Sequence, residues 1–97
     1  MTKSKAYQAD LIESLRDPRE AEEYLNAALE EEDMEPFLLA LRNVAEARGG
    51  VTQLAEQAHL ARESLDQLLS QRGNPELKNL GTLLHRLGFR LSVTFAR

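Results

Sequence analysis

The residues of this 97-residue chain whose types can carry chemistry are few. They are His59, His85, the acidic run Glu30-Glu31-Glu32-Asp33, and the polar set Arg62-Glu63-Ser64 with Asp66 and Gln67. The two histidines lie far apart, without HExxH spacing or a nearby carboxylate cluster of metal-ligand type. They read as a turn residue and a helix residue. The acidic run reads as solvated surface. Gly49-Gly50 precedes a helix but lacks the lysine and further glycines of a phosphate cradle. The absence of cysteine excludes disulfides, thiolate metal sites and cysteine nucleophiles. Neither an enzyme nor a cofactor is therefore expected, and what remains is recognition. Arginine pairs bidentately with guanine, glutamate accepts from cytosine N4, and glutamine bridges adenine. A helix with Arg62, Glu63, Ser64, Asp66 and Gln67 outward reads like one that lies in a DNA groove.

Those side chains need elements to position them, and helical periodicity supplies the elements. Leu11, Ile12 and Leu15 are spaced for one face of a short helix over Tyr7–Leu15. Asp17 is a good N-cap, Pro18 suits the first helical position, and Glu20 completes a capping box. From Pro18 to about Glu31, Ala21, Tyr24, Leu25, Ala28 and Leu29 recur at three and four. The following acids sit where the helix dipole disfavours them, so the helix is expected to fray there. A third helix, Glu35 to Arg48, buries Phe37, Leu38, Leu41, Val44 and Ala45 and stops at Gly49-Gly50. Thr52 can cap a short helix through Ala58, His59-Leu60-Ala61 forms a tight connection, and another helix runs from Arg62 to about Gln71. Gly73-Asn74-Pro75 breaks the chain. A last helix near Lys78 to Leu87 buries Leu80, Leu83, Leu84 and Leu87. The tail then changes period: Leu91, Val93 and Phe95 alternate with Ser92 and Thr94, a half-buried strand pattern with no second strand in the chain. It must stay frayed or pair with another chain.

Charge divides the molecule. Residues 1–50 hold twelve acids and six bases, whereas residues 51–97 hold four acids and six bases, within a total of −4. A strongly acidic half and a mildly basic half suggest two partners; a solvated acidic surface is the plain alternative. The N-terminus MTKSKAYQADL has no signal-peptide run and no segment is long enough to span a membrane, so a cytoplasmic protein without a membrane partner is expected. The expected organisation is an acidic helical arm over 1–33 and a recognition domain over 34–97, in one compact unit.

Between residues 52 and 88, a short helix, a three-residue turn and a second helix carry apolar residues at Leu54, Ala55, Leu60, Leu65 and Leu68. This is the pattern of a helix-turn-helix, in which small Ala55 allows close approach of the two helices. An ordinary helical hairpin is the alternative. The series Tyr24-Leu25-Asn26-Ala27-Ala28-Leu29, Phe37-Leu38-Leu39-Ala40-Leu41-Arg42, Ala47-Arg48-Gly49-Gly50, Thr52-Gln53-Leu54-Ala55, Arg62-Glu63-Ser64-Leu65, Gly73-Asn74-Pro75 and Leu87-Gly88 resembles the addiction-module antidote proteins. These are HigA-like antitoxins of the phage-repressor (Xre) helix-turn-helix superfamily, and the resemblance spans about residues 10–93.

The resemblance implies an all-α fold of five to six helices, here with a short C-terminal β-strand. It implies a dimer that binds double-stranded DNA at an operator palindrome, represses its own operon and neutralises a small basic RelE/HigB-like toxin. It places Gln53 on phosphate, Arg62, Glu63 and Gln67 at base edges, and Ser64 on phosphate. Arg72 and Lys78 would meet the backbone, and Thr52 completes the DNA-binding set. Apart from the resemblance, the unpaired strand suggests that Leu91, Val93 and Phe95 form the dimer contact, with addition to a toxin sheet as the alternative. Two positions depart from the pattern. His59 stands where glycine is usual in the turn, and Ala61 stands where serine or threonine would cap the second helix. A stand-alone phage-type regulator and a protein-interaction module with a degenerate helix-turn-helix stay open.

Overall fold

A computed structural model describes residues 4–70 and 74–96. Six helices follow one another: α1 (Ser4–Ser14), α2 (Pro18–Leu29), α3 (Glu35–Ala47), α4 (Val51–Gln57), α5 (Arg62–Leu68) and α6 (Leu77–Arg86). α3 is the central element, with α1, α2 and α4 packed on it; α4 in turn contacts α5 and α6. α3 takes this place because it carries a wide apolar face: Phe37, Leu38, Ala40, Leu41, Val44 and Ala45 are all buried. A wide apolar stripe of this kind faces the core, with Glu35 and Glu46 left on the exposed side. Leu15, Ala21 and Leu25 from the acidic half join the same core as Leu54, Leu65, Leu80, Leu83 and Leu84.

Local chemistry explains most of the helix boundaries. Asp17 accepts from the Arg19 N–H at 2.9 Å and caps α2, with Pro18 opening the helix. The return half of the expected capping box is not made. The Asp17 N–H already donates to the Ser14 carbonyl, which leaves no donor for Glu20. Thr52 does not cap α4 as expected: the N-cap is Gly50, two residues earlier, and the helix begins at Val51. α2 ends at Leu29, just before the acidic run. α5 ends at Leu68, short of Gln71, which itself lies outside the described residues together with Arg72 and Gly73.

Two side chains tie the helices together where periodicity gives no hint of it. Asn43 faces the interior of α3 at 6% exposure. Its Oδ1 accepts from Gln8 Nε2 of α1 at 3.0 Å, and its Nδ2 donates to the Tyr24 hydroxyl of α2 at 2.9 Å. A buried amide is tolerated only when hydrogen-bonded, and this one joins three helices. Arg48 ends α3 and donates through Nε to the Leu87 carbonyl at 3.0 Å, with its guanidinium over the Phe89 ring at 5.5 Å.

The C-terminal β-strand expected from the alternation is not present: residues 89–96 adopt no regular structure. The physical reason is pairing. A strand is stabilised by its ladder, and the described residues contain no second strand. Val93 and Phe95 are left 97% and 93% exposed, whereas Leu91 is partly sheltered near Gly81 of α6.

Candidate nucleic-acid interface

α4 and α5 are two short helices joined by residues 58–61, and the turn between them is built from backbone hydrogen bonds. The Leu60 N–H donates to the Ala55 carbonyl at 2.9 Å and the His59 N–H to the Glu56 carbonyl at 3.2 Å. This is the Schellman arrangement, in which the residue after the C-cap adopts a left-handed conformation. The α3 and α6 ends close with the same long-range bond, Gly50 to Ala45 and Phe89 to Leu84, and there the left-handed residue is Gly49 or Gly88. At the end of α4 it is His59, with φ 59°, the one non-glycine residue with positive φ among those described. A left-handed non-glycine residue costs about 1–2 kcal/mol, and glycine's greater unfolded freedom costs about 0.5–1 kcal/mol. His59→Gly is accordingly expected to raise stability by about 0.5–1 kcal/mol in urea denaturation.

The entry to α5 is open as well. Ala61 occupies the N-cap position in an extended conformation and makes no side-chain cap. What holds α5 is apolar: Leu65 and Leu69 are buried, and Leu60 and Leu68 pack against the core. Opposite that seam, Glu63, Ser64 and Gln67 are exposed, and their spacing keeps them on one side of the helix.

The expected DNA-binding residues are only partly gathered. Arg62 is half exposed and folded against its own protein: Nη1 donates to the Thr52 hydroxyl, and Nε lies 3.3 Å from Asp66 Oδ2. Thr52 and Arg62 are thus brought into direct contact, across α4 and α5. Gln53 is exposed next to Thr52, with its side-chain amide lying against Gly49. Lys78 stands exposed in the first turn of α6; among the described residues it makes no side-chain hydrogen bond or ion pair with the others. Arg72 lies outside the described residues.

Asp66, expected to face outward with Arg62, Glu63, Ser64 and Gln67, is half-buried and receives two arginines. Arg42 Nη1 of α3 approaches Asp66 Oδ1 at 3.4 Å, and Arg62 approaches from α5. The i, i+4 spacing of Arg62 and Asp66 is the available sequence signal for half of this arrangement. The surface carries both signs, since the exposed Glu56 and Glu63 lie near Arg62 in the chain. Phosphate binding draws on lysine and arginine, so any DNA contact here must be won by a few well-placed cations.

Away from this pair of helices the chemistry is sparse. Among the described residues no group of three or more histidine, aspartate or glutamate side chains is placed to hold a metal. Among the described residues no helix is long and apolar enough to cross a membrane. A cleft of about 630 Å³ lies between α2, α6 and the tail, lined by Leu25, Leu29, Phe37, Leu84 and Phe89 with Glu22 at its edge.

Comparison with known proteins agrees with the resemblance at its coarser level. The family described as "Probable addiction module antidote protein" matches residues 5–95. A protein of Haemophilus influenzae, described only as uncharacterized, is 34% identical over 88 residues, covering 91% of this chain and 90% of that protein. No solved structure gives a significant match. The match runs through all six helices, α4 and α5 included. An antidote implies a toxin that it counters, and this chain belongs to the family of probable addiction module antidote proteins.

Proposed function

We propose that this protein is the antitoxin of a type II toxin–antitoxin module: a DNA-binding autorepressor that also binds and neutralises a basic RelE/HigB-like toxin. The observation that carries the proposal is the family match over nearly the whole chain. The α4–α5 pair supports the DNA-binding half. Its short-helix, tight-turn, short-helix order is what a phage-repressor (Xre) helix-turn-helix would need, with the second helix entering the major groove. In this assignment Arg62, Glu63 and Gln67 read base edges, Gln53, Ser64, Arg72 and Lys78 serve the phosphate side, and Thr52 completes the DNA-binding set. The exposed acids on α2 and in the loop after it support the second half, since they complement a basic partner and speed its encounter.

The test of the DNA assignment separates reading from anchoring. Arg62→Ala is expected to cost about 1–3 kcal/mol at the operator while leaving random DNA nearly unaffected. Lys78→Ala is expected to weaken all sequences alike and to reduce the salt slope by about 1. Gel shifts over a salt series measure both. Equal losses on both DNAs from Arg62→Ala would remove the base contact. A second reading has its own observation: Glu63 and the uncapped Ala61 suit an interaction module whose DNA surface has degenerated. Absence of any shift at near-physiological salt selects that reading. A neighbouring reading frame without a small basic product would instead favour a stand-alone regulator.

The proposed assembly is a two-fold dimer, as palindromic half-sites require. Leu91, Val93 and Phe95 would pair across the axis, where the unpartnered tail finds the strand it lacks within one chain. Removal of residues 90–97 is expected to leave a monomer in sedimentation; a dimer that persists would place the interface elsewhere.

A further inference from the structure

We infer that Asp66 is a positioning residue, which with Thr52 fixes the Arg62 guanidinium for sequence reading; this rests on the DNA-binding assignment of α4 and α5. Arg62 is a long side chain at the first position of a short helix, and a free arginine there would sample many rotamers. In the structure it is held at two points. Nε is engaged by Asp66, with oxygens at 3.3 and 3.4 Å, and Nη1 by the Thr52 hydroxyl. Asp66 is itself drawn towards α3 by Arg42 at 3.4 Å. The result is a chain of contacts, Arg42–Asp66–Arg62–Thr52, that runs from α3 through α5 to α4. A guanidinium has five N–H donors. Two are used here, so Nη1 keeps one hydrogen and Nη2 keeps both for an acceptor outside the protein.

The sign of the arrangement makes it informative. An aspartate near a DNA-facing arginine repels phosphate, so its loss by charge alone strengthens binding to every sequence. An aspartate that orients the arginine does the opposite at the specific site, because a mispositioned donor pair no longer matches a base edge. The arrangement assigns Thr52 the same work: its hydroxyl meets Arg62 rather than standing free for a phosphate. Its substitution should then affect the operator and spare random DNA.

The experiment measures affinity of the full chain for two duplexes, one spanning the region upstream of its own reading frame and one scrambled to the same composition. Asp66→Asn keeps the side chain's shape and removes its charge. Its specific affinity is expected to fall roughly tenfold, the order of one misplaced base contact, while affinity for the scrambled duplex rises. Thr52→Val should lower specific affinity alone. In an Arg62→Ala background, Asp66→Asn should retain only the rise on both duplexes, because the group it positions is gone. Two results overturn the inference with the DNA assignment intact: parallel changes on both duplexes, or effects of Asp66→Asn that are the same with and without Arg62. A wild-type protein that does not distinguish the two duplexes overturns the DNA assignment itself, and the role of Asp66 with it.

Discussion

Leu65→Ala is expected to destabilise the protein by about 2–5 kcal/mol, the range for truncating a fully buried leucine. Leu65 is 0% exposed and is the one buried residue within the seven of α5. A helix of two turns has no stability of its own in water. This one lacks a side-chain cap at Ala61 and is entered through the left-handed His59. Burial of Leu65, with Leu69 and the partly buried Leu60 and Leu68, must hold it in place. Loss should therefore be local first: on the proposed function, operator binding should fail at temperatures where the helical circular dichroism of the remaining helices persists. Thermal melts and gel shifts on the same sample measure the two thresholds. Coincident loss of both would show that α5 does not open separately.

Gly50→Ala is expected to cost about 1–3 kcal/mol, although there is open space for the new methyl group. The obstacle is the backbone. Gly50 sits at φ 98°, ψ 155°, a region essentially confined to glycine. Its N–H donates to the Ala45 carbonyl at 2.8 Å and its carbonyl accepts from Leu54 at 3.1 Å. Relaxing the dihedral thus disturbs the end of α3 and the start of α4 together. Urea denaturation measures the cost, and a neutral result would show that the α3–α4 junction adapts without its glycine. The contrast with His59→Gly is direct, since one change introduces the strain that the other removes.

The helices were largely legible because their signals are local. Asp17-Pro18 marks the start of α2, and Phe37, Leu38, Leu41, Val44 and Ala45 are the buried face of α3, as their spacing predicts. The departure at His59 was legible too, since a residue at a glycine position must adopt glycine's conformation. Three features were hidden for three reasons. Asn43 is polar on an apolar face, and only Gln8 and Tyr24, distant in sequence, explain its burial. The tail has the alternation of a strand, but alternation describes only the chain's own pattern and pairing needs a second strand. The Arg62–Thr52 contact joins two helices, and helical periodicity ranks positions as inward or outward without saying which outward side chains meet. Its consequence is that the outward set is not a row of free hands; one member is held by two others.

The link between α1 and the remainder of the chain has a consequence for how the molecule opens. α1 exposes Tyr7 and buries Leu11 and Ile12 only partly, so that its hold on α3 is Leu11, the buried Leu15 that follows it and, among the described residues, the one side-chain hydrogen bond from Gln8 to Asn43. Helices held by so little lie at the bottom of the ladder of local unfolding energies, whereas a core helix such as α3 opens only with the whole domain. Amide protons of α1 are thus expected to exchange with solvent through excursions that leave α3 to α6 folded, which native-state hydrogen exchange would measure. On that expectation the first helix acts as a removable cover of this fold, with Asn43 as the latch beneath it.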